Sequence, residues 1–507
     1  MDAIEFSLFV QRITAICEEM GSVLKCTAFS PNIKERQDYS CAIFNHHGQL
    51  CTQAANIPVH LGSMAYAMSS IVEDISWQQG DMLILNDPYR GGTHLPDVTV
   101  IAPVFFKGVL CAFVANRAHH ADIGASTPGS MPIARSIEEE GLIISPLKIM
   151  QNNRVCISEM DRILDRLHDR NSANADFHAQ FSANLTGSIR LAELVRQMQA
   201  DEFISGLDRV QDYAATLADT ALLAIPEGHY SFTDVMDDDG LGQKSIPIQC
   251  AITRTADKLL LDFTGTANQV AGNINCPLSV TAAAVFYCFY CLMPPQTPPC
   301  HGCFRNIEIR VPEHNLLNAS FPAAVAAGNV ETSTRIVDVI LGALAETLPE
   351  QIPAASHGSM NNIAMGSRTW DYYETIGGGM GASKQENGLD AVQTHMTNTL
   401  NTPIEVLEKY YPLRIREYAI RPSSGGTGKY SGGNGLIRCY QFLEPCQVTI
   451  LSERRLYPPW GLAGGQPGQC GENRFNQEIL PAKCHIHART NDQLEILTAG
   501  GGGWGSR

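Results

Sequence analysis

Residues 86–122 read NDPYRGGTHLPDVTVIAPVFFKGVLCAFVANRAHHAD, and two apolar stretches inside them, Val98–Phe106 and Val109–Ala115, flank Lys107-Gly108. β-prone residues on both sides of a dipeptide ending in Gly predict a hairpin with a tight turn. A hairpin brings the start of its first strand beside the end of its second. Counting outward from 106 opposite 109 puts Asp97 opposite residue 118. A three-residue loop would put it opposite His119, and Pro103 is a place where a bulge can enter. In either register His94 and Asp97 emerge at the same open end as His119, His120 and Asp122, because opposed Cβ atoms lie roughly 4.5–5.5 Å apart.

Two imidazoles and a carboxylate form a donor set suited to Zn, Mn or Fe, with positions left for water and substrate, as in catalytic metal sites. The same set forms the facial triad of non-haem iron oxygenases, and on spacing alone that reading stays open. So does the plainer one, in which these are polar residues at a hairpin end with their histidines satisfied by backbone carbonyls. Asp38 in ERQDYSC precedes a β-prone run and can close the coordination shell. His60 in PVHLGS is a further candidate, and His120 and Asp122 can orient ligands from outside the shell.

Outward from this stretch, apolar positions at helical spacing (Phe6, Phe9, Val10, Ile13, Ile16) predict an opening helix from Asp2 through Leu24. SCAIFNHHGQLCT, residues 40–52, predicts two short strands about a turn at Gly48, and a helix follows over Ser63 to Val72. Residues 156–222 hold the longest helical reading, with few Gly and no Pro. Pro226-Glu227-Gly228 opens a strand-rich part, helices return near Val280 to Met293 and Ser333 to Thr347, and the last ninety residues are Gly-rich and strand-like. The tail TAGGGGWGSR is expected as a loop or an interface arm. The fold class is therefore α+β: a large, mixed, multi-subdomain protein with a candidate metal site at the open end of a β-hairpin, a helical subdomain and a Gly-rich C-terminal β region. Its regions are expected at 1–155, 156–222, 223–420 and 421–507.

The chain has 507 residues, 44% of them hydrophobic and 17% charged, a composition suited to packed cores rather than disorder. A net charge of −16 without Lys/Arg clusters speaks against a nucleic-acid surface. The N-terminus lacks the pattern of a secretory signal, and the most apolar stretch, Val98 to Val114, is broken by Pro103, Lys107 and Gly108, so neither export nor a membrane span is expected. Sixteen scattered cysteines fit reduced thiols in a cytoplasmic protein.

Several long, ordered motifs carry a resemblance. NIKERQDYSCAIFN (32–45), PVHLGSM (58–64), GDMLILNDPYRGGTHLPDVTVIAPVF (80–105), NRAHHADIG (116–124), EGLIISPLKI (140–149), FTGTANQVAGNIN (263–275), SGGTGKYSGGNGLIR (424–438) and PPWGLAGGQPG (458–468) resemble the hydantoinase B/oxoprolinase family from end to end. That family comprises metal-carrying subunits of N-methylhydantoinases, caprolactamase and acetone-type carboxylases, and is similar to the second half of 5-oxoprolinase. The resemblance implies a metal site at His94, Asp97 and His119, with Asp38 as a fourth ligand, holding one divalent ion (Zn, Mn or Fe). It implies a hydantoinase A-like partner that uses ATP and Mg, in an α2β2 hetero-oligomer. The implied activity is ATP-dependent opening of a cyclic amide, whether hydantoin, lactam or 5-oxoproline. The partner would phosphorylate the substrate, water on the metal would attack it, and His120 or Asp122 would move protons. The alternative is the metal subunit of an ATP-dependent ketone carboxylase. The chain stops directly after TAGGGGWGSR where some members continue, so contacts made by such an extension are expected to be missing.

Three other signals carry less. Cys288-x-x-Cys291 and Cys300-x-x-Cys303 have zinc-ligand spacing, but the first pair lies in an apolar helical run without a knuckle turn. Ser424–Tyr430 resembles a phosphate loop but lacks its first Gly and the Ser or Thr after Lys429. IGGGMGAS, residues 376–383, is either a bare backbone approaching substrate or a simple loop.

Overall fold

In the computed structural model, which describes residues 1–55 and 57–506, contacts divide the chain into two units. The first comprises Met1–Gly124, Leu142–Ala224 and Phe286–Ile307; the second comprises Ala125–Gly141, Ile225–Val285 and the chain from Glu308 on. The helical stretch expected over 156–222 falls inside the first unit, and the region expected over 223–420 contributes to both. The architecture is mixed α+β, with four sheets among the described residues, and no helix among them is long and apolar enough to cross a membrane.

The first unit is built on a seven-stranded antiparallel sheet. Its strands are β1 (Tyr39–Asn45), β2 (Leu50–Ala55), β3 (Met82–Leu85), β4 (Asp97–Phe106), β5 (Val109–His119), β6 (Leu147–Gln151) and β7 (Arg154–Val155), in the spatial order β2-β1-β5-β4-β3-β6-β7. The β4–β5 hairpin turns on Lys107 and Gly108, both with positive φ (50° and 83°), the backbone of a two-residue turn matched to strand twist. Phe106 pairs with Val109 as counting predicts. Further out, Phe105 opposes Leu110 but Val104 opposes Ala112, so Cys111 is an extra residue on β5. This bulge moves the register by one and sets Asp97 opposite His119 rather than Ala118.

Alternation then sorts the side chains between the two faces. Phe113, Ala115, Arg117 and His119 of β5 share one face with Ile101, Thr99 and Asp97 of β4 and Phe44, Ala42 and Ser40 of β1. At its apolar end this face packs against Met64, Met68, Ile71 and Val72 of the helix Pro58–Glu73. Each such large side chain stabilises the fold by roughly 1.5–3 kcal/mol when buried. The first two turns of that helix, with His60 and Ser63, lie over the polar end of the same face. The opposite face carries the helix Arg170–Met198, whose Gln180 and Asn184 side chains donate to the carbonyls of Val98 and Val100 at 2.9 Å. The opening helix Ala3–Thr27, started by an Asp2/Glu5 capping box, packs along Arg170–Met198.

The second unit holds three sheets. Strands β8 (Gly228–Asp238), β9 (Lys244–Arg254), β10 (Leu259–Asp262) and β11 (Ile307–Arg310) form one, with the buried helix Ser333–Ala345 on β8 and β9. Strands β12 (Asn362–Gly366), β13 (Asp371–Glu374), β14 (Leu413–Ile420), β15 (Leu436–Phe442), β16 (Cys446–Leu451), β17 (Glu472–Phe475), β18 (Glu478–Leu480), β19 (Lys483–Ala488) and β20 (Gln493–Leu497) divide between the orders β13-β12-β16-β19 and β14-β15-β20-β17-β18. These last two sheets share a core that includes Ile363, Val448, Ile450, Tyr440, Phe442, Leu494 and Ile496.

The Gly-rich tail is no exposed arm. Residues 498–503 are buried, and the N–H groups of Gly501, Gly502 and Gly503 donate to the carbonyls of Gly433, Ala355 and Gln466 at 2.8–2.9 Å. A Cβ on Gly501 would stand 2.0 Å from the Met380 carbonyl oxygen, so only glycine admits this approach of backbones. Arg507, the last residue of that tail, lies outside the described residues. Residues 376–383 belong to the same backbone packing: Gly379 N–H donates to Ala499 O, and Gly433 N–H to Met380 O. The phosphate-loop look-alike joins β14 to β15 with no helix after it, so it lacks the helix N-terminus that such a loop requires.

Candidate metal centre

Asp97 begins β4, His119 ends β5, and the bulge at Cys111 brings them face to face. His94 comes from the preceding loop, which is folded back by the bond from Asp97 N–H to His94 O (3.1 Å) and held to β5 by His120 N–H to Pro96 O (2.9 Å). One ligand-type atom from each of His94, Asp97 and His119 lies within 4.8 Å of the others, and all three side chains are buried. Among the described residues no other three His, Cys, Asp or Glu side chains converge in this way, the Cys-x-x-Cys pairs included. The two rings stand 5.1 Å apart, edge to face. Asp38 stands beside the trio: its carbonyl accepts from His119 N–H at 3.0 Å, and its buried carboxyl feels Asp97, His60 and His94.

The electrostatics suit a cation. Burial pushes the Asp97 carboxyl toward its protonated form, but His94 and His60 outweigh that and hold it well below the usual carboxylate range. Burial, reinforced by His94, pushes His119 well below its ordinary value, so the ring is neutral and keeps a lone pair. Burial raises Asp38, with Arg36 pulling the other way. Two buried arginines border the cluster. Arg117 donates from Nε to Thr99 Oγ1 (2.8 Å), from Nη1 to Ser63 Oγ (2.7 Å) and from Nη2 to Gly91 O (3.2 Å); burial lowers it to about 10 while Asp97 pulls it up. Arg36 approaches Asn32 Oδ1 at 3.5 Å.

The residues around the trio hold it in place. Thr93 Oγ1 donates to Asp97 Oδ2 at 2.5 Å, and the Nε2 atoms of His60 and His94 each lie 3.4 Å from that same oxygen. Asn32 Nδ2 is 3.1 Å from His119 Nδ1. A donor set of two imidazoles and a carboxylate, buried, with the carboxylate ionised and an imidazole neutral, fits a divalent transition metal.

His120 and Asp122 do not join the cluster. Next to His119 in an extended strand, His120 points to the other side, where its Nε2 lies 2.9 Å from Gln180 Oε1 and its ring 4.5 Å from that of Phe177. Asp122 accepts from the N–H groups of Gly124 (2.8 Å) and His168 (2.5 Å) and pairs with His168 Nδ1 (3.1 Å), anchoring the approach to the helix Arg170–Met198. Thr93, Asn32 and Arg117 escaped the sequence reading. Arg117 carried a signal, since it sits two residues before His119 and so on the same face.

The hydantoinase B/oxoprolinase family model matches residues 2–507. An uncharacterised protein of Methanocaldococcus jannaschii is 40% identical over 100% of this chain and 91% of its own length. The 5-oxoprolinase of Dictyostelium discoideum is 39% identical over 100% of this chain, which spans 40% of that relative's length. The crystal structure of ATP-dependent caprolactamase from Pseudomonas jessenii superimposes with a TM-score of 0.92 at 24% identity, covering 100% of this chain and 91% of that one. At this identity the likeness extends to the fold.

Proposed function

This chain belongs to the hydantoinase B/oxoprolinase family, and from that membership together with the His94–Asp97–His119 cluster we propose that it is the metal-bearing subunit of an ATP-dependent enzyme that opens a cyclic amide. Hydantoins, lactams and 5-oxoproline are the substrate class. The observation that carries the reading is the convergence of three buried ligand-type side chains in a member of this family. His94, Asp97 and His119 would hold one divalent ion, Zn, Mn or Fe, with Asp38 beside them as the fourth ligand. Such an ion, when bound, lowers the pKa of a coordinated water toward neutrality and polarises a carbonyl oxygen.

The chain's own residues prepare that chemistry. Asp97 stays ionised and His119 neutral, so neither has to lose a proton before it can ligate. Burial of the cluster strengthens every charge interaction within it. In this reading His120 and Asp122 support the scaffold, His120 against Gln180 and Phe177 and Asp122 against Gly124 and His168. An unstrained amide is a poor electrophile, so ATP is spent on turning its oxygen into a leaving group. That step falls to a hydantoinase A-like ATPase, the two chains forming an α2β2 assembly. The length of the 5-oxoprolinases beyond the part matched here leaves room for such an ATPase half within one chain.

The test is co-expression with a hydantoinase A-like chain, followed by ATP hydrolysis measured against hydantoins, lactams, 5-oxoproline and ketones. Stimulation by a cyclic amide, lost in Asp97→Ala, is the expected result. Stimulation by a ketone with bicarbonate carbon entering the product would replace this reading with the carboxylase one, and full turnover in a verified metal-free Asp97→Ala complex would end both.

A further inference from the structure

His60 sits in the first turn of the helix Pro58–Glu73, 1% exposed, above the polar end of the sheet face that carries Asp97 and His119. Its two ring nitrogens face different partners. Nε2 lies 3.4 Å from Asp97 Oδ2, and Nδ1 lies 3.1 Å from Ser40 Oγ. A neutral imidazole has one N–H and one lone pair, whereas a carboxylate only accepts. The proton therefore belongs on Nε2, where it can meet Asp97, and Nδ1 takes the hydroxyl hydrogen of Ser40. Ser40 is fixed in β1 directly opposite Arg117 of β5.

The helix turn that carries His60 is itself pinned. Arg117 Nη1 donates to Ser63 Oγ, which is three residues along that helix and in turn donates to Val59 O at 2.8 Å. The same guanidinium reaches Gly91 O and Thr99 Oγ1, so one buried side chain ties together the helix turn, the loop leading to Thr93 and His94, and the strand that starts at Asp97. Thr93 grips the same carboxylate oxygen as His60. With two donors from different elements on Oδ2, rotation of Asp97 about its terminal bond is blocked.

We infer that His60 is a positioning residue: its Nε2–H, with the tautomer set by Ser40, holds the Asp97 carboxylate in the orientation that lets it ligate a metal together with His94 and His119. This rests on the metal reading given under Proposed function, and the two can fail separately. Hydrogen-bonding partners of metal ligands contribute roughly 10–100-fold in affinity.

The experiment is a titration of the full chain, stripped of metal, with Zn²⁺ against a chromophoric chelator, in the wild type and in H60L, H60Q and S40A. The visible spectrum of the Co²⁺-loaded forms is recorded in parallel. H60L is expected to bind Zn²⁺ roughly 10–100-fold more weakly with an altered Co²⁺ spectrum. H60Q, which returns an N–H donor at the distal position, should recover most of the affinity and the wild-type spectrum, a rescue that a merely space-filling role does not predict. Unchanged affinity and spectrum in a folded H60L would overturn the inference. Where H60L does not fold, S40A decides: weaker binding at unchanged thermal stability supports it, and wild-type affinity overturns it. A wild-type chain that binds no divalent metal would remove the metal reading itself, and would do so in every variant alike.

Discussion

The neighbouring histidines 119 and 120 should respond in opposite ways to the same replacement. His120→Leu removes the 2.9 Å contact with Gln180 Oε1 and leaves that oxygen, on a fully buried side chain, without its imidazole partner. A buried group stripped of its partner costs about 1–3 kcal/mol. Loss of the ring over Phe177, at 4.5 Å, adds about 0.5–1.5 kcal/mol. Together the metal-free protein should lose about 1.5–4.5 kcal/mol in urea unfolding while still binding metal with affinity close to the wild type. His119→Leu breaks the contact with Asn32, about 1–3 kcal/mol, and deletes a ligand. Metal at a hundredfold excess over its dissociation constant stabilises a binding-competent fold by about 2.7 kcal/mol. That increment should appear in His120→Leu and vanish in His119→Leu, read from unfolding curves with and without Zn²⁺ and from metal content by mass spectrometry. A folded His120→Leu that holds no metal, or a His119→Leu that keeps a full equivalent, would refute the assignment of the two rings to opposite faces.

Stripping the two-chain complex of its transition metal, with Mg²⁺ restored in excess for ATP, should abolish amide-dependent ATP turnover, with activity returning on addition of Zn²⁺ or Mn²⁺; turnover that survives verified removal would exclude a catalytic metal. In the second unit, burial lifts the Glu140 carboxyl from 4.5 to about 8 despite the Val325 and Ala326 N–H groups that bond it. The folded chain then holds a proton that the unfolded chain releases, so this contribution is fully present below about pH 4.5 and is lost as the pH rises through about 8, with a slope of about 1.4 kcal/mol per pH unit between. Glu140→Gln should flatten that slope in pH-dependent denaturation; an unchanged slope would show that Glu140 is ionised in the fold. Gly501→Val would drive a side chain into the Met380 carbonyl and should lower stability by about 1–3 kcal/mol or more, so a wild-type unfolding midpoint would contradict the close backbone packing of the tail.

The elements that local pattern controls were legible without coordinates. Helical spacing of Phe6, Phe9 and Ile13 marked the opening helix now seen at Ala3–Thr27, and the apolar runs around Lys107-Gly108 marked β4 and β5. Strand alternation alone also implied that His119 and His120 face apart, an inference the residue-type count passed over. The hairpin register was not legible. Leu110, Cys111 and Ala112 suit a strand equally well in either register, so the bulge that sets Asp97 opposite His119 leaves no mark in the pattern.

What the sequence determined by itself was therefore the kind of site and its family: which residue types gather at the hairpin's open end, in motifs long enough to be identified. What only the tertiary structure decided was the company they keep. His60 and Ser40 reach the cluster from a helix and another strand, and Arg117 binds that helix to β5, through packing between elements distant along the chain. The Gly-rich tail reads locally as a loop yet is buried among the backbones of segments near residues 355, 380, 433 and 466. Periodicity and turn chemistry act over a few residues, whereas these contacts arise where separated segments close on one another, and no local pattern encodes that closure.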